Sequence, residues 1–246
     1  MVLLMEKVKE LKRILDSSNN IVLFTGAGIS VPSGIPDFRS ATGLYSEKYG
    51  NIGPETIISN TFFHANPKTF YEYYKKHLVY KDALPNKAHY FFANLEKQGK
   101  LKAVVTQNID NLHQAAGSKK VYELHGSVYR NYCISCNKFY DLDYIIESKD
   151  VPKCECSGII KPDVVLYEEV LDSKVLNGAI NAIKNSDCLV VVGTSLTVYP
   201  AAGLVQYFLG ENLVVINKQT TQYDNYAKLV FNEDIISVIE KLENIR

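Results

Sequence analysis

The sequence predicts an α/β fold: a Rossmann-like, doubly wound parallel sheet broken by a helical insertion and by a second small inserted module. Three observations predict it. Short uninterrupted apolar runs recur at Ile21–Phe24, Ala103–Val105, Cys188–Val192 and Leu213–Ile216, each separated from the next by helical or loop material. Such runs suit parallel strands covered on both faces, and their alternation with helices is the rhythm of crossover units. Two stretches break that rhythm: residues 40–84, rich in Tyr and Phe, and residues 128–161, which hold four of the five cysteines.

In chain order, Val8, Leu11, Ile14 and Leu15 fall at helical spacing, so the chain opens with an amphipathic helix ending near Ser17–Asn20. Helical patterns follow at Pro85–Lys97, Asp172–Lys184, Pro200–Leu209 and Glu233–Leu242. The expected division gives residues 1–39, 85–127 and 162–246 to the large nucleotide-binding domain. Residues 40–84 and 128–161 are the helical and cysteine-bearing parts of a small domain.

A chain of 246 residues buries enough surface to fold without disulfides. Lys plus Arg and Asp plus Glu are both 27, a balance that argues against direct binding of nucleic acid through its phosphates. No run reaches membrane-span length and the first residues lack a signal-peptide pattern, so no membrane partner and a cytoplasmic location are expected.

The four cysteines read Cys133-x-x-Cys136 and, seventeen residues later, Cys154-x-Cys156. In a reducing compartment this grouping points to a metal before it points to disulfides. Four thiolates close a tetrahedral Zn²⁺ site and leave no open position for metal catalysis, so the ion is structural and residues 128–161 form a zinc-binding module. The compressed second pair fits if an extended segment points positions i and i+2 the same way. Cys188 opens an apolar strand and belongs to the core.

After the first strand comes Gly26-Ala27-Gly28-Ile29-Ser30, a glycine turn that could open a helix and present backbone N–H groups to a pyrophosphate. A purely structural turn explains it nearly as well. Val31 stands where a dehydrogenase would have its third glycine, and no strand-end acid follows to hold a ribose, which disfavours hydride transfer. Asp37, Phe38 and Arg39 follow: Arg39 can pair with phosphate and Phe38 can cover a flat ring, unless they make only a local surface contact.

The string Thr106-Gln107-Asn108-Ile109-Asp110 ends a strand and leads into a helix, placing polar groups at the carboxyl edge of the sheet, where ligands of open α/β sheets bind. Read one by one, Asn108 could be a cap and Asp110 a favourable charge at a helix start. His125 is the leading catalytic candidate. It follows a short apolar run, precedes Gly126, and carries an imidazole able to take a proton near neutral pH. His64, His77, His89 and His113 lack such a setting, and packing or surface roles are expected, with His113 left open. Gly193-Thr194-Ser195 and Asn217-Lys218 sit at further strand ends, where they could hold phosphate or ribose or merely cap helices.

Taken together and in order, these strings resemble the sirtuins, NAD-dependent protein lysine deacylases, over nearly the whole chain. The resemblance implies NAD and an acyl-lysine protein meeting in a cleft between the two domains. It further implies transfer of the acyl group from lysine to ADP-ribose, with release of nicotinamide and O-acyl-ADP-ribose. His125 would be the base and Asn108 would assist catalysis. Gly26, Ala27, Gly28, Val31, Asp37, Phe38, Arg39, Gln107, Asn108, Ile109, Asp110 and His125 would contact NAD. So would Gly193, Thr194, Ser195, Asn217, Lys218, Asp234 and Ile235. Val164, Val165, Leu166 and Tyr167 would pair with the substrate peptide. Glu168 stands where many sirtuins have glycine. The Tyr-x-x-Arg pair of members that remove acidic acyl groups is not apparent in residues 70–76, which favours acetyl or another uncharged acyl group. Two alternatives remain at this stage: a protein mono-ADP-ribosyltransferase using the same site, and a non-enzymatic zinc-bearing binding module.

Overall fold

The structure, a computed structural model, describes residues 2–38, 43 and 52–245. Helix α1 (Val2–Ser17) leads into β1 (Ile21–Thr25). Helices α2 (Pro54–Ile57), α3 (Asn60–Ala65), α4 (Pro67–His77) and α5 (Lys87–Lys97) precede β2 (Leu101–Thr106), α6 (Leu112–Ala115) and β3 (Val121–Glu123). Next come β4 (Gly126–Cys133), β5 (Phe139–Tyr140), α7 (Leu142–Glu147) and β6 (Ile160–Val164). The chain closes with α8 (Ser173–Lys184), β7 (Cys188–Val192), β8 (Asn212–Ile216), β9 (Leu229–Phe231) and α9 (Ile235–Glu243).

Six strands form one sheet in the order β3-β2-β1-β7-β8-β9, every neighbouring pair parallel. The apolar runs are buried on both faces because alternate residues serve two cores. Ile21, Leu23, Val190 and Val214 pack with α1, α5 and α9, whereas Val22, Phe24, Val191 and Val215 pack with α8 and the segment after Pro200. The four residues that defined the first helix, Val8, Leu11, Ile14 and Leu15, are all at most 5% exposed. Strand order reverses direction between β1 and β7, the point at which a doubly wound sheet opens a crevice beyond its strand ends.

A second sheet, β5-β4-β6, is antiparallel. Its core joins Phe63, Phe70, Tyr71 and Tyr74 of the helical insertion to Val128, Tyr140, Ile145, Ile160, Cys133 and Cys154 of the cysteine segment. Both interruptions of the parallel rhythm therefore bury their apolar faces against each other.

Four local expectations are corrected. The glycine turn after β1 opens no α-helix; it makes two 3-10 turns, Ala27–Ile29 and Val31–Ser33, with Pro32 in the second and Gly34 ending it at φ +88°. The string after β2 does not run straight into a helix either. Asn111 takes a left-handed conformation (φ +63°), and α6 begins only at Leu112. Pro200–Leu209 is realised as a 3-10 helix, Ala201–Tyr207, where Gly203 and the β-branched Val205 lower α-helical propensity in a short stretch. Cys154 and Cys156 lie on a tight turn, not an extended segment: Ser157 (φ +66°) donates its N–H to the Cys154 carbonyl at 2.8 Å. Strands β3 and β9 pass unnoticed in the sequence because three residues are too few to show a period.

Candidate active site

Both loops at the crevice are glycine turns packed against one another. Gly28 donates its backbone N–H to the Gly193 carbonyl at 2.8 Å, and a Cβ on Gly28 would stand 2.6 Å from the Gly193 Cα. A Cβ on Gly26 would meet the Thr194 Cβ at 2.7 Å. The turn after β1 thus needs glycine because the turn after β7 occupies the space a side chain would take.

Beyond these turns lies a cavity of about 520 Å³, within the range of small-molecule sites. Its wall includes Gly26, Ala27, Gly28, Val31, Asp37 and Phe38 from the first turn and Gln107, Asn108, Ile109 and His125 from the middle of the sheet. Gly193, Thr194, Ser195, Asn217, Lys218, Asp234 and Ile235 line one end, and Val164, Val165, Leu166 and Tyr167 another. Asp110 instead borders a smaller adjoining pocket with Ser30, Asn108 and Ile109. Arg39 lies outside the described residues.

The polar groups are held by one another. Gln107 donates its amide to Thr194 Oγ1 at 3.0 Å. The Asn108 amide reaches Ser30 Oγ at 3.1 Å and caps no helix, and Ser30 Oγ donates to Asp110 at 2.6 Å. Asp110 also accepts the Leu112 N–H at 2.9 Å, from one residue before the N-cap Asn111 of α6. Burial raises its pKa, while the hydrogen bonds from Ser30, Leu112 and Asn108 oppose the rise.

His125 stands where the chain leaves the parallel sheet for the antiparallel one. Its Nδ1 lies 3.0 Å from the Gln107 carbonyl. A carbonyl only accepts, so Nδ1 carries the proton and Nε2 holds the free lone pair of a neutral imidazole. Burial lowers its pKa and the Gln107 carbonyl partly counters this, which keeps the ring in its basic form. The next residue has to be glycine: Gly126 has φ +73°, and a Cβ there would fall 1.9 Å from the Asp163 carbonyl oxygen of β6. Arg130 braces this junction, bonding Glu123 at 2.6 Å and Asp163 at 2.7 Å.

The segment after β6 is tied down on several sides. Val165 donates to the His125 carbonyl at 3.0 Å, and Leu166 to the Glu169 carboxylate at 2.8 Å. Tyr167 bonds through both backbone groups to Ile58 and Asn60 at 3.1 and 3.0 Å. Glu168, at φ +76°, accepts the Thr61 N–H in the first turn of α3 at 2.8 Å. Hydrogen bonding from the Thr61 side chain and then from its N–H lowers the carboxyl pKa and offsets a backbone conformation glycine would adopt more easily.

The four predicted cysteines converge. All four Sγ atoms lie within 4.8 Å of one another, with Cys133–Cys156 and Cys136–Cys154 each at 3.5 Å. Tetrahedral Zn–S bonds of about 2.3 Å demand sulfur separations of about 3.8 Å, so the cluster is able to bind a structural zinc. Tyr140 donates its hydroxyl to Cys154 Sγ at 3.1 Å, a contact that favours the thiolate. Cys188 is fully buried in the strand core.

Sequence reasoning missed Ser30, Ile58, Leu78, Leu171, Val198, Tyr199, Pro200 and Gln219, which also line the two pockets. Ser30 was readable from its place in the glycine turn, and Val198–Pro200 from following Ser195 directly. Ile58 and Leu78 arrive from the helical insertion, and no local signal marks them.

The Sir2 family profile matches residues 26–200 of the chain. The chain is 58% identical over 240 residues to an "NAD-dependent protein deacetylase" of Clostridium perfringens, spanning 96% of this chain and 98% of that one. It is 46% identical over 237 residues to a protein of the same name from Staphylococcus aureus (strain MRSA252), spanning 96% and 97%. A solved complex of Sir2 with deacetylated p53 peptide and 3′-O-acetyl ADP ribose superposes with a TM-score of 0.89 at 41% identity over 96% of each chain. A complex of Sir2 with p53 peptide and NAD⁺ gives 0.83 at 42% identity over 97% and 96%.

Proposed function

We infer the reaction from one premise, that the chain belongs to the Sir2 family. It is an NAD-dependent protein lysine deacetylase: the acyl group passes from lysine to ADP-ribose with one water consumed, releasing free lysine, nicotinamide and O-acyl-ADP-ribose. The observation that carries this reading is His125, a neutral imidazole fixed through Nδ1 on the wall of a cavity that also holds both glycine turns.

NAD, when bound, supplies an electrophilic ribose carbon and a leaving nicotinamide. The chain's own part is binding, orientation and proton transfer. Gly26, Ala27, Gly28, Gly193, Thr194 and Ser195 surround the phosphates with backbone N–H and hydroxyl groups. Asn217, Lys218, Asp234 and Ile235 hold the adenosine end. Val31, Asp37 and Phe38 cover the cofactor, and Gln107 and Asn108 orient its reactive ribose. Ile109 and Asp110 receive the carboxamide. His125 Nε2 takes the proton of a ribose hydroxyl so that this oxygen can attack the acyl carbon, the task of a general base with a pKa below the working pH. Val164–Tyr167 flank the acyl-lysine peptide.

Uncharged acyl groups suit the site. The Tyr71 hydroxyl bonds the Ile160 carbonyl and the Lys75 ammonium the Ser148 carbonyl, and neither residue is among those lining the cavity, so neither is placed to pair with an acidic acyl chain. Residues 1–39, 85–127 and 162–246 are the cofactor-binding domain and the two interruptions the small one. The partners are acyl-lysine proteins and neither membrane nor nucleic acid. Among the described residues no helix is long and apolar enough to cross a membrane, and a four-thiol metal site suits the reducing cytoplasm.

Incubation with an acetyl-lysine peptide and NAD should yield deacetylated peptide, nicotinamide and O-acetyl-ADP-ribose in equal amounts by mass spectrometry. Deacetylation without NAD overturns the mechanism. Label from NAD stably attached to protein, with no deacetylated product, would replace it with ADP-ribosyl transfer.

A further inference from the structure

Two histidines outside the cavity lie beneath the strand ends, both buried: His89 on α5 and His113 on α6. Their rings are 4.9 Å apart between centroids and cross at 66°. Each leaves one buried ring nitrogen without a partner, Nε2 of His89 and Nδ1 of His113. Buried polar atoms without partners are costly, and two on adjacent rings call for an explanation.

The protons on these rings follow from their other contacts. His89 Nδ1 accepts the Asn86 backbone N–H at 3.2 Å, so Nδ1 is bare and the proton of the neutral ring is on Nε2. Thr25 Oγ1 donates its one hydrogen to Thr106 Oγ1 at 2.9 Å. Towards His113 Nε2, 3.0 Å away, the same oxygen can only accept, so Nε2 carries that ring's proton and Nδ1 is bare. The unpartnered nitrogen of His89 is therefore a donor and that of His113 an acceptor. The two orphans are complementary.

We propose that His113, with the His89 ring packed against it, anchors a directed hydrogen-bond chain that positions the catalytic base through Thr25, Thr106 and the Gln107–Asn108 peptide. From His113 the chain passes to Thr25 Oγ1 and on to Thr106 Oγ1, which also accepts the Asn108 backbone N–H at 3.0 Å. The Gln107 N–H is held by the Thr25 carbonyl at 3.0 Å. Both ends of residue 107 are thus fixed from Thr25 and Thr106, and its carbonyl is the group that holds His125 Nδ1. The chain needs neutral rings, because a proton on His113 Nδ1 would set donor against donor; burial keeps both neutral, His89 down to about 4 and His113 well below the usual histidine range. His89 and His113 are positioning residues, and this role rests on His125 being the base.

The test combines spectroscopy and kinetics. In the wild-type protein at neutral pH, imidazole ¹⁵N NMR should show the Nε2–H tautomer for both His89 and His113. His113→Phe and Thr25→Val should each lower kcat about tenfold, the scale of a small misplacement of a catalytic group, with KM for NAD within twofold. The double variant should be no slower than the slower single one, since both cut one chain, and Thr25→Ser should restore activity. A proton on His113 Nδ1, losses that multiply in the double variant, or unchanged kcat would each overturn the proposal. If His113→Phe fails to fold, the wild-type spectrum and the Thr25 pair still decide it. Failure of His125 as base would show separately, as full activity of His125→Ala.

Discussion

Gly28 and Gly193 meet backbone to backbone across the switch point of the sheet, the N–H of one donating to the carbonyl of the other at 2.8 Å. Gly193 is also left-handed (φ +61°), and a Cβ on it would lie 2.4 Å from the Ile29 nitrogen. Replacing Gly193 with Ala is expected to push the two turns apart and to cost about 1–3 kcal/mol, as strain at a special backbone position does. Urea unfolding reads the stability and calorimetric titration the NAD affinity, both of which should fall. Unaltered NAD affinity would show that the contact is structural only.

His125→Ala removes the proposed base and leaves the glycine turns untouched. Turnover should fall by roughly 10²- to 10⁴-fold, while NAD binding changes little. Burial lowers the pKa of the wild-type ring, and the neutral ring is the active form. The acid limb of kcat/KM in the pH profile should therefore lie below the ordinary histidine value of about 6.5. A midpoint above that value would contradict the burial argument.

Acid should also destabilise the fold through the buried histidines. His89 is depressed to about 4, and His113 and His125 are lowered as well. Below about pH 6.5 the unfolded chain takes up protons that the folded chain refuses, so stability is present above that pH and is lost as pH falls towards 4. His89 alone accounts for about 3 kcal/mol at most over that window, at roughly 1.4 kcal/mol per pKa unit. His89→Gln should flatten the dependence of urea midpoint on pH between 6.5 and 4; an equally steep curve would count against it.

Zinc is expected at one ion per chain by elemental analysis, and Cys136→Ser or Cys156→Ser should abolish it. Cys133 and Cys154 are buried within the core that the helical insertion shares. Chelation should therefore loosen both interruptions together and remove activity, with the circular dichroism of the parallel sheet largely kept. Full activity in metal-free protein would refute a structural role.

Glu168 holds a left-handed conformation and uses its carboxylate to cap α3. Glu168→Gly relieves the backbone and loses the cap, whereas Glu168→Ala keeps the strain and loses the cap. Melting temperatures should therefore rank alanine below glycine. The reverse ranking would mean that the left-handed conformation at this position carries no strain.

How much was legible follows from where the information lies. The four apolar runs, the amphipathic first helix and the cysteine quartet each carry their signal in consecutive residues. Strand alternation between two cores and thiolate affinity for zinc are properties of the local chain. The resemblance of ordered motifs supplied most of the cavity residues, since those motifs sit at strand ends that face one crevice. The helix starts after β1 and β2 went astray because Pro32, Gly34 and the left-handed Asn111 redirect the chain over single residues. The turn at Cys154–Cys156 was misread as extended for the same reason, one left-handed Ser157.

The sequence by itself determined the class of fold, the metal-binding thiols and the candidate base, because hydrophobic period, ligand chemistry and the titration range of imidazole belong to the residues themselves. Only the tertiary structure decided why Gly28 and Gly126 must be glycine, which nitrogen of His125 is free, and that His89 and His113 face each other beneath the site. Those answers depend on what a distant part of the chain places within a few ångströms, and packing sets such distances between residues far apart in sequence.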